Sequence, residues 1–345
     1  MRKARFFGQA RRDMANWPII GHEWAVNLLA HAAASGRLSH AYLFIGPAQV
    51  GKTTLARAFA QAILCEKQTG EPCRSDASPC RACQRIADGR YPDLQIIAAE
   101  KNTIQIEQVR VLQSDAALSP LEGRHKVFII REIERATAPA ANALLKTLEE
   151  PSPHVILLLT SRRRDLVLPT VLSRCQLIGL RPASLAQTQT AFETRWGVEP
   201  GQAELLARLS GGCIGAAVHA HTHPEVGQER SRRLDQLLTL TAAGYVGRLG
   251  QAESLSRQTE AIEPTLGLWA TWWRDVLLIQ RGVPEAIVNL DRRAQLAQQA
   301  ELYRPGQVEA ALADLIQTLR RIQANVNARL TLDVLALRLP KPIVT

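Results

Sequence analysis

The chain has 345 residues, of which 46% are hydrophobic and 21% are charged, close to the average of folded globular proteins. These values exclude a largely disordered or fibrous chain, and the length predicts two or three domains. No apolar stretch approaches the ~20 residues that span a bilayer, so no membrane segment is predicted. The formal net charge of +10 leaves two interpretations open, contact with nucleic acid and an ordinary solvated surface.

The first 17 residues are basic, and no apolar core of a signal peptide follows them. We therefore expect residues 1–17 to be an N-terminal extension of a cytoplasmic protein. In that compartment the thiols of the six cysteines stay reduced.

Short apolar runs alternate with helical segments in the first half of the chain, a pattern typical of a parallel sheet covered by helices. Thr53–Leu64 and Ala138–Leu148 have helical periodicity. We predict an α/β domain over residues 18–180. The predicted strands are Tyr42–Ile45, Leu94–Ala98, Val127–Ile130, Val155–Thr160 and Leu177–Leu180.

Strand signals stop after Leu180, and only helical periodicity continues. We predict a small helical domain over 181–224 and an all-helical domain over 225–345, with breaks at Gly282–Pro284 and Tyr303–Gly306. Three tryptophans share one predicted helix of the last domain, where burial is a better explanation than base stacking. They are Trp269, Trp272 and Trp273.

The strongest chemical motif is GPAQVGKTT, which matches G-x-x-x-x-G-K-[ST] between a predicted strand and a predicted helix. Its backbone N–H groups would face phosphate oxygens, Lys52 would neutralise them, and Thr53 would ligate Mg²⁺. ATP with Mg²⁺ is thus one candidate ligand, and a folded relic with little or no nucleotide affinity is the alternative. The candidate binding residues are Gly46, Gly51, Lys52, Thr53 and Thr54.

Four of the six cysteines lie within nineteen positions, and the last two form a C-x-x-C pair. Four thiolates suit a tetrahedral structural Zn²⁺ with no open position for catalysis. A disulfide or unligated thiols are the alternatives. The candidate ligands of this zinc module, residues 65–83, are Cys65, Cys73, Cys80 and Cys83.

Three segments resemble bacterial clamp-loader AAA+ subunits, the gamma, tau and delta-prime family of DNA polymerase III: Ile19–Ala56, Ala136–Ser161 and Leu168–Gln176. With Arg321–Pro340, the resemblance covers most of the chain. It implies a RecA-like AAA+ domain with a zinc module, a helical lid and a helical collar through which five subunits form an open ring. The implied partners are gamma/tau and delta subunits, with the sliding clamp contacted indirectly and primer–template DNA reached through the assembled ring.

In an active ATPase of this family, an Asp–Glu pair follows the strand KVFII. The resemblance places Arg131 at the aspartate position and leaves Glu132 as the remaining catalytic candidate, with a simple surface acid as the alternative. Ala216 stands where the family often has a lid arginine. We therefore expect the chain's own ATP hydrolysis to be weak or absent.

The Ser173-Arg174-Cys175 motif is intact, and the resemblance implies that Arg174 acts as an arginine finger on a neighbouring subunit's nucleotide. An ordinary solvated or salt-bridged arginine is the alternative. Thr160 and Ser161 fall near the family's polar phosphate sensor. For residues 162–164, an arginine run, a solvated loop is favoured over DNA contact. The sequence thus favours a delta-prime-like subunit, with a gamma/tau-like motor and a scaffold with an empty P-loop as alternatives.

Overall fold

The computed structural model describes residues 17–73 and 78–342, so all of the predicted N-terminal extension except Trp17 lies outside the described residues. The chain forms two compact units. The first comprises the described residues of Met1–Trp196 with Gly211–Ala216, and the second those of Gly197–Ser210 with Ala217–Thr345. The domain boundaries at 18, 181 and 225 stay predictions.

A five-stranded parallel sheet forms the centre of the first unit, in the order β2-β3-β4-β1-β5. All five strands predicted from the sequence are confirmed. Because parallel strands end at one edge of a sheet, the segments after β1, β3 and β4 lie close together. The strands are β1 (Ala41–Ile45), β2 (Leu94–Ile97), β3 (Lys126–Ile130), β4 (Val155–Ser161) and β5 (Gln176–Gly179).

Helices cover both faces of this sheet, because alternate side chains of each strand point to opposite sides. Tyr42 and Phe44 pack into one apolar cluster, and Leu43 packs into the other, which also contains Leu144 and Leu148. The helices of this unit are α1 (Glu23–Ser35), α2 (Lys52–Leu64), α3 (Arg81–Ala87), α4 (Ile106–Ala116), α5 (Ala138–Glu149), α6 (Pro169–Leu172) and α7 (Leu185–Trp196), with 3₁₀ turns at Ile133–Arg135 and Arg164–Leu166.

The second unit is helical, as predicted, and the three tryptophans of α12 are buried in its core. Helix α9 crosses the division between the units. None of the described helices is both long and apolar enough to cross a membrane. The remaining helices are α8 (Pro200–Ser210), α9 (Ile214–Thr222), α10 (Pro224–Ala242), α11 (Tyr245–Ser256), α12 (Thr259–Gln280), α13 (Arg293–Leu302), α14 (Pro305–Gln323) and α15 (Ala328–Arg338), with 3₁₀ turns at Pro284–Ala286 and Leu290–Arg292.

One buried arginine, Arg248 of α11, joins the carboxyl-terminal ends of two other helices in this unit. Its side chain is 1% exposed and, within the described residues, bonds to five backbone carbonyls and to no side chain. Helix ends leave carbonyl groups without partners, and a cation there is favourable. Arg248 therefore satisfies carbonyls that would otherwise be buried without donors. These acceptors are Thr241 and Ala243 at the end of α10, and Ala336, Leu339 and Pro340 at the end of α15.

We expect Arg248→Met to lower the free energy of unfolding of this unit by about 3 kcal/mol or more, since several buried carbonyls lose their donor at once. Urea unfolding followed by circular dichroism measures the change. Arg257→Met is the matched control, because Arg257 is exposed and its ion-pair partner in the described part of the chain is Glu253. Equal decreases in the free energy of unfolding of the two variants would contradict the stabilising role of Arg248 at the two helix ends.

Candidate functional site

The P-loop motif forms a turn between β1 and α2 at the carboxyl edge of the sheet. Gly51 has a φ of 111°, a conformation that a side chain strongly disfavours. The N–H of Gly46 donates to the carbonyl of Ser161 at the end of β4, 3.1 Å away. No side chain caps the first turn of α2, so its N–H groups remain available to an anion.

Lys52 lies folded within this loop, with a side chain that is only 7% exposed. Its Nζ donates to the carbonyls of Gly46 and Pro47 at 2.6 and 2.7 Å. Burial lowers the pKa of Lys52, and the negative charges of Glu134 and Glu132 oppose that effect. The ammonium group therefore has backbone partners in this structure and no carboxylate in contact among the described residues.

A cavity of about 520 Å³ lies beside the loop, between the segment before α1 and helix α7. Ile19 lines it and is within van der Waals distance of a β-carbon placed on Gly51. Trp17 also lines it, and its buried indole N–H has no hydrogen-bond partner in the described part of the chain. The walls of the cavity are partly apolar, as at Val26, and partly charged, as at Glu23 and Arg195, and sequence reasoning missed it.

The start of α9 packs directly on the P-loop. The N–H of Gly215 donates to the carbonyl of Gln49 at 2.9 Å. A β-carbon on Gly215 would lie 2.6 Å from that oxygen, so only glycine allows this approach. The next residue, Ala216, carries no charge.

The residues after β3 depart from the usual metal-organising pair. Arg131 is exposed, and the backbone N–H of Glu132 donates to the buried hydroxyl of Thr160 at 2.9 Å. The carboxylate of Glu132 is held by Arg135 at 2.7 Å and by Arg162 at 2.8 Å. Glu132, the sequence-based catalytic candidate, is thus neutralised by two guanidinium groups.

A second carboxylate, Glu134, lies in the 3₁₀ turn that follows β3, and sequence reasoning did not single it out. One oxygen accepts from the backbone N–H of Arg162 at 2.9 Å. The other is buried and has no hydrogen-bond partner among the described residues. The sequence contains both acids, Glu132 and Glu134, but only the fold shows that Glu132 is the one neutralised by arginine side chains.

The arginine run after β4, residues 162–164, is exposed. Arg162 pairs with Glu132, and Arg163 pairs with Asp165. The hydroxyl of Ser161 donates to the carbonyl of Arg163 at 2.9 Å. Two of the three guanidinium groups therefore form ion pairs with carboxylates of this chain.

Arg174 follows the short helix α6 on the surface, with a side chain that is 33% exposed. Its guanidinium pairs with Glu149 at 2.7 Å and donates to the carbonyl of Thr170 at 2.9 Å. Glu149 is the last residue of α5, whose start is capped by the Thr137 hydroxyl. Two helix ends thus hold the side chain while leaving part of the guanidinium accessible.

The four clustered cysteines converge after α2 and around the start of α3. Their Sγ atoms all lie within 4.8 Å of one another, although residues 74–77 between them are outside the described part. Cys65 Sγ is 3.6 Å from Cys73 and 3.9 Å from Cys80. Four Zn–S bonds of ~2.3 Å in a tetrahedron place sulfurs ~3.8 Å apart, so this cluster could bind a metal such as zinc.

Local backbone structure supports this cluster. Cys80 caps α3, and its Sγ accepts from the N–H of Cys83 at 3.5 Å. A hydrogen bond from the Cys83 thiol lowers the pKa of Cys65, favouring a thiolate there. The six cysteines are free of disulfides. Cys175 and Cys213 lie outside the cluster, and burial raises the pKa of each.

A parallel sheet that carries a P-loop, followed by a helical carboxyl-terminal unit, is the architecture of AAA+ clamp-loader subunits. The family model described as DNA polymerase III, delta subunit matches residues 21–184, and the model of its C-terminal domain matches residues 225–341. The chain belongs to the delta' family of DNA polymerase III clamp-loader subunits, as the sequence-based resemblance predicted.

Two relatives named delta' agree with this assignment. The Bacillus subtilis DNA polymerase III subunit delta' is 30% identical over 91% of this chain and 94% of its own length. The Pseudomonas aeruginosa delta' is 35% identical over 58% of this chain and 61% of its own length. The Escherichia coli subunit tau is 33% identical over 71% of this chain, which spans only 38% of tau. A gamma subunit-related protein of Thermotoga maritima is 18% identical, with a TM-score of 0.47 over 91% of this chain and 98% of that one.

Proposed function

We propose that this delta'-type subunit binds a nucleotide in its own P-loop, hydrolyses it weakly or not at all, and contributes Arg174 to a neighbouring subunit's nucleotide. One contrast carries the proposal. The position that should hold a metal-organising aspartate is Arg131, while the SRC arginine is partly exposed and held at the end of α6. Arg174, which would assist hydrolysis at a neighbouring subunit's site, is therefore present. The residue that would organise the metal for the chain's own hydrolysis is replaced by Arg131.

The P-loop fits a nucleotide with its magnesium ion. N–H groups of the loop and of α2 would receive the phosphates, Lys52 would leave the two carbonyls for phosphate oxygens, and Thr53 would ligate Mg²⁺. The cavity beside Ile19 would hold the base. Bound Mg²⁺ would neutralise phosphate charge.

Weak hydrolysis follows from the electrostatics after β3. Arg131 adds a positive charge where a carboxylate normally organises the metal. Glu132 is already paired with Arg135 and Arg162, and deprotonating a water would require it to exchange those partners. A chain with these features can bind a nucleotide and hydrolyse it slowly or not at all.

We propose gamma/tau and delta subunits as direct partners, with the sliding clamp and primer–template DNA reached through the assembled ring in the cytoplasm. An exposed apolar stripe on the second unit supports assembly through this region. Leu330 is 64% exposed, and Val334 and Leu337 share its face of α15 at helical spacing. Such a stripe gains stability when another subunit covers it.

We propose that the four-cysteine cluster holds a structural Zn²⁺. The sulfur spacing and the capping of α3 by Cys80 both support it. With four sulfur ligands the ion has no open position, so its contribution would be to fold the module rather than to catalyse a reaction.

We expect the isolated chain to bind ATP with its turnover near background, and Lys52→Ala to weaken binding by about tenfold or more, because the phosphates lose their principal cation. Equilibrium fluorescence titration with a labelled ATP analogue, together with a phosphate-release assay, measures both properties. Lys146→Ala is the matched control, since Lys146 is exposed on α5.

Two results would contradict the proposal in different ways. Absence of binding by the wild-type chain would support the scaffold with an empty P-loop. Robust turnover that depends on Lys52 would instead support a motor subunit of the gamma/tau kind.

A further inference from the structure

The two acids after β3 differ in what their oxygens contact. Glu132 is compensated by the guanidinium groups of Arg135 and Arg162. Glu134 has one oxygen on the N–H of Arg162, and its Oε2 is buried without a hydrogen-bond partner among the described residues. A buried carboxylate oxygen without a donor is costly unless a cation or water completes its environment.

A single peptide group connects Glu134 to the P-loop. The carbonyl of Ser161 accepts from the N–H of Gly46 at 3.1 Å, and the N–H of Arg162 in the same peptide group donates to Glu134 at 2.9 Å. Among charged neighbours, Glu134 most strongly raises the pKa of Lys52. No ion pair joins the two residues, so Lys52 does not neutralise the buried oxygen.

The chemistry of Mg²⁺ matches this arrangement. The ion takes oxygen ligands and is usually held by one or two carboxylates together with phosphates and waters. We infer that Glu134, in place of the absent residue-131 aspartate, supplies the carboxylate to the coordination shell of Mg²⁺ on a nucleotide bound in the P-loop. This inference rests on the proposed nucleotide binding. It assigns the metal-coordinating role to Glu134, three residues after position 131.

The test compares Glu134→Gln with Glu132→Gln in the isolated chain. Affinity for a fluorescent ATP analogue is measured with saturating Mg²⁺ and with EDTA. We expect Mg²⁺ to increase the affinity of the wild-type chain for the analogue. In Glu134→Gln, we expect this Mg²⁺-dependent increase in affinity to be smaller by about tenfold or more. Glu132→Gln should keep the gain, because its carboxylate is already paired. In EDTA, Glu134→Gln should bind at least as tightly as wild type, since one negative charge near the phosphates is gone.

A second measurement detects the bound metal ion directly. Electron paramagnetic resonance of Mn²⁺ with ATP should show a bound ion in wild type and Glu132→Gln, a weaker one in Glu134→Asp, and little in Glu134→Gln. Retention of the full Mg²⁺ gain by Glu134→Gln would overturn the inference, as would its loss in Glu132→Gln. If wild-type affinity is equal with and without Mg²⁺, this inference alone fails. If wild type binds no nucleotide in either condition, the proposed nucleotide binding fails with it.

Discussion

Replacing Arg174 by alanine should lower ATP turnover at the neighbouring subunit's site by about 10³-fold or more in the reconstituted loader, the effect of removing an arginine finger. The guanidinium would stabilise charge on the transferred phosphoryl group, and no other group of this chain is proposed for that role. Arg174→Lys should recover little, because an ammonium group lacks the planar fork. The measurement is single-turnover hydrolysis in a loader whose other sites are disabled.

The control for this prediction is Arg164→Ala. Arg164 is exposed, forms no ion pair within the described residues and is not proposed to reach a nucleotide. Nucleotide binding by the isolated Arg174→Ala chain should be unchanged, because Arg174 would act on another subunit. Wild-type turnover in the Arg174→Ala loader would show that this side chain is a structural ion-pair partner of Glu149 only.

The second large effect is expected from the cysteine cluster. The purified chain should contain about one equivalent of zinc, and Cys80→Ser should lose it, because a hydroxyl is a far poorer ligand than a thiolate. The loss should expose the segment between Cys65 and Cys83 to proteolysis, since metal binding supplies folding energy to such modules. Elemental analysis and limited proteolysis with mass mapping measure the two effects.

Cys213→Ser is the matched control, a partly buried thiol outside the cluster. It should keep the metal and the protease resistance of wild type. Less than about half an equivalent of metal in carefully purified wild-type protein, with four titratable thiols in the module, would count against the zinc site.

Most of the fold could be predicted because its signals are local. The buried strands are short apolar runs, and α5 combines helical periodicity with a Thr137 cap. The order of strands was not predicted, because pairing depends on contacts between distant segments. The partition of 181–224 between two compact units is likewise a property of packing, which residue spacing does not encode.

The motifs of the site were visible in the sequence, and their contacts were not. Glu132 looked like the remaining catalytic candidate, but its pairing with Arg162 joins residues 30 positions apart. Arg248 did not stand out among the many arginines, because the carbonyls it binds lie as far away as Pro340. A buried charge is recognised only when its surroundings are known.

The sequence alone determined which chemical groups are present: a P-loop, a four-cysteine cluster, Arg131 in place of an acid, and an intact SRC motif. The first two are readable because phosphate loops and cysteine clusters require fixed residue types at short, fixed spacings. The Arg131 position and the SRC motif are recognised through the family resemblance. Only the tertiary structure decided which groups are free to act. The parallel sheet brings the ends of β1, β3 and β4 together, and this leaves Glu132 neutralised while one oxygen of Glu134 has no partner among the described residues.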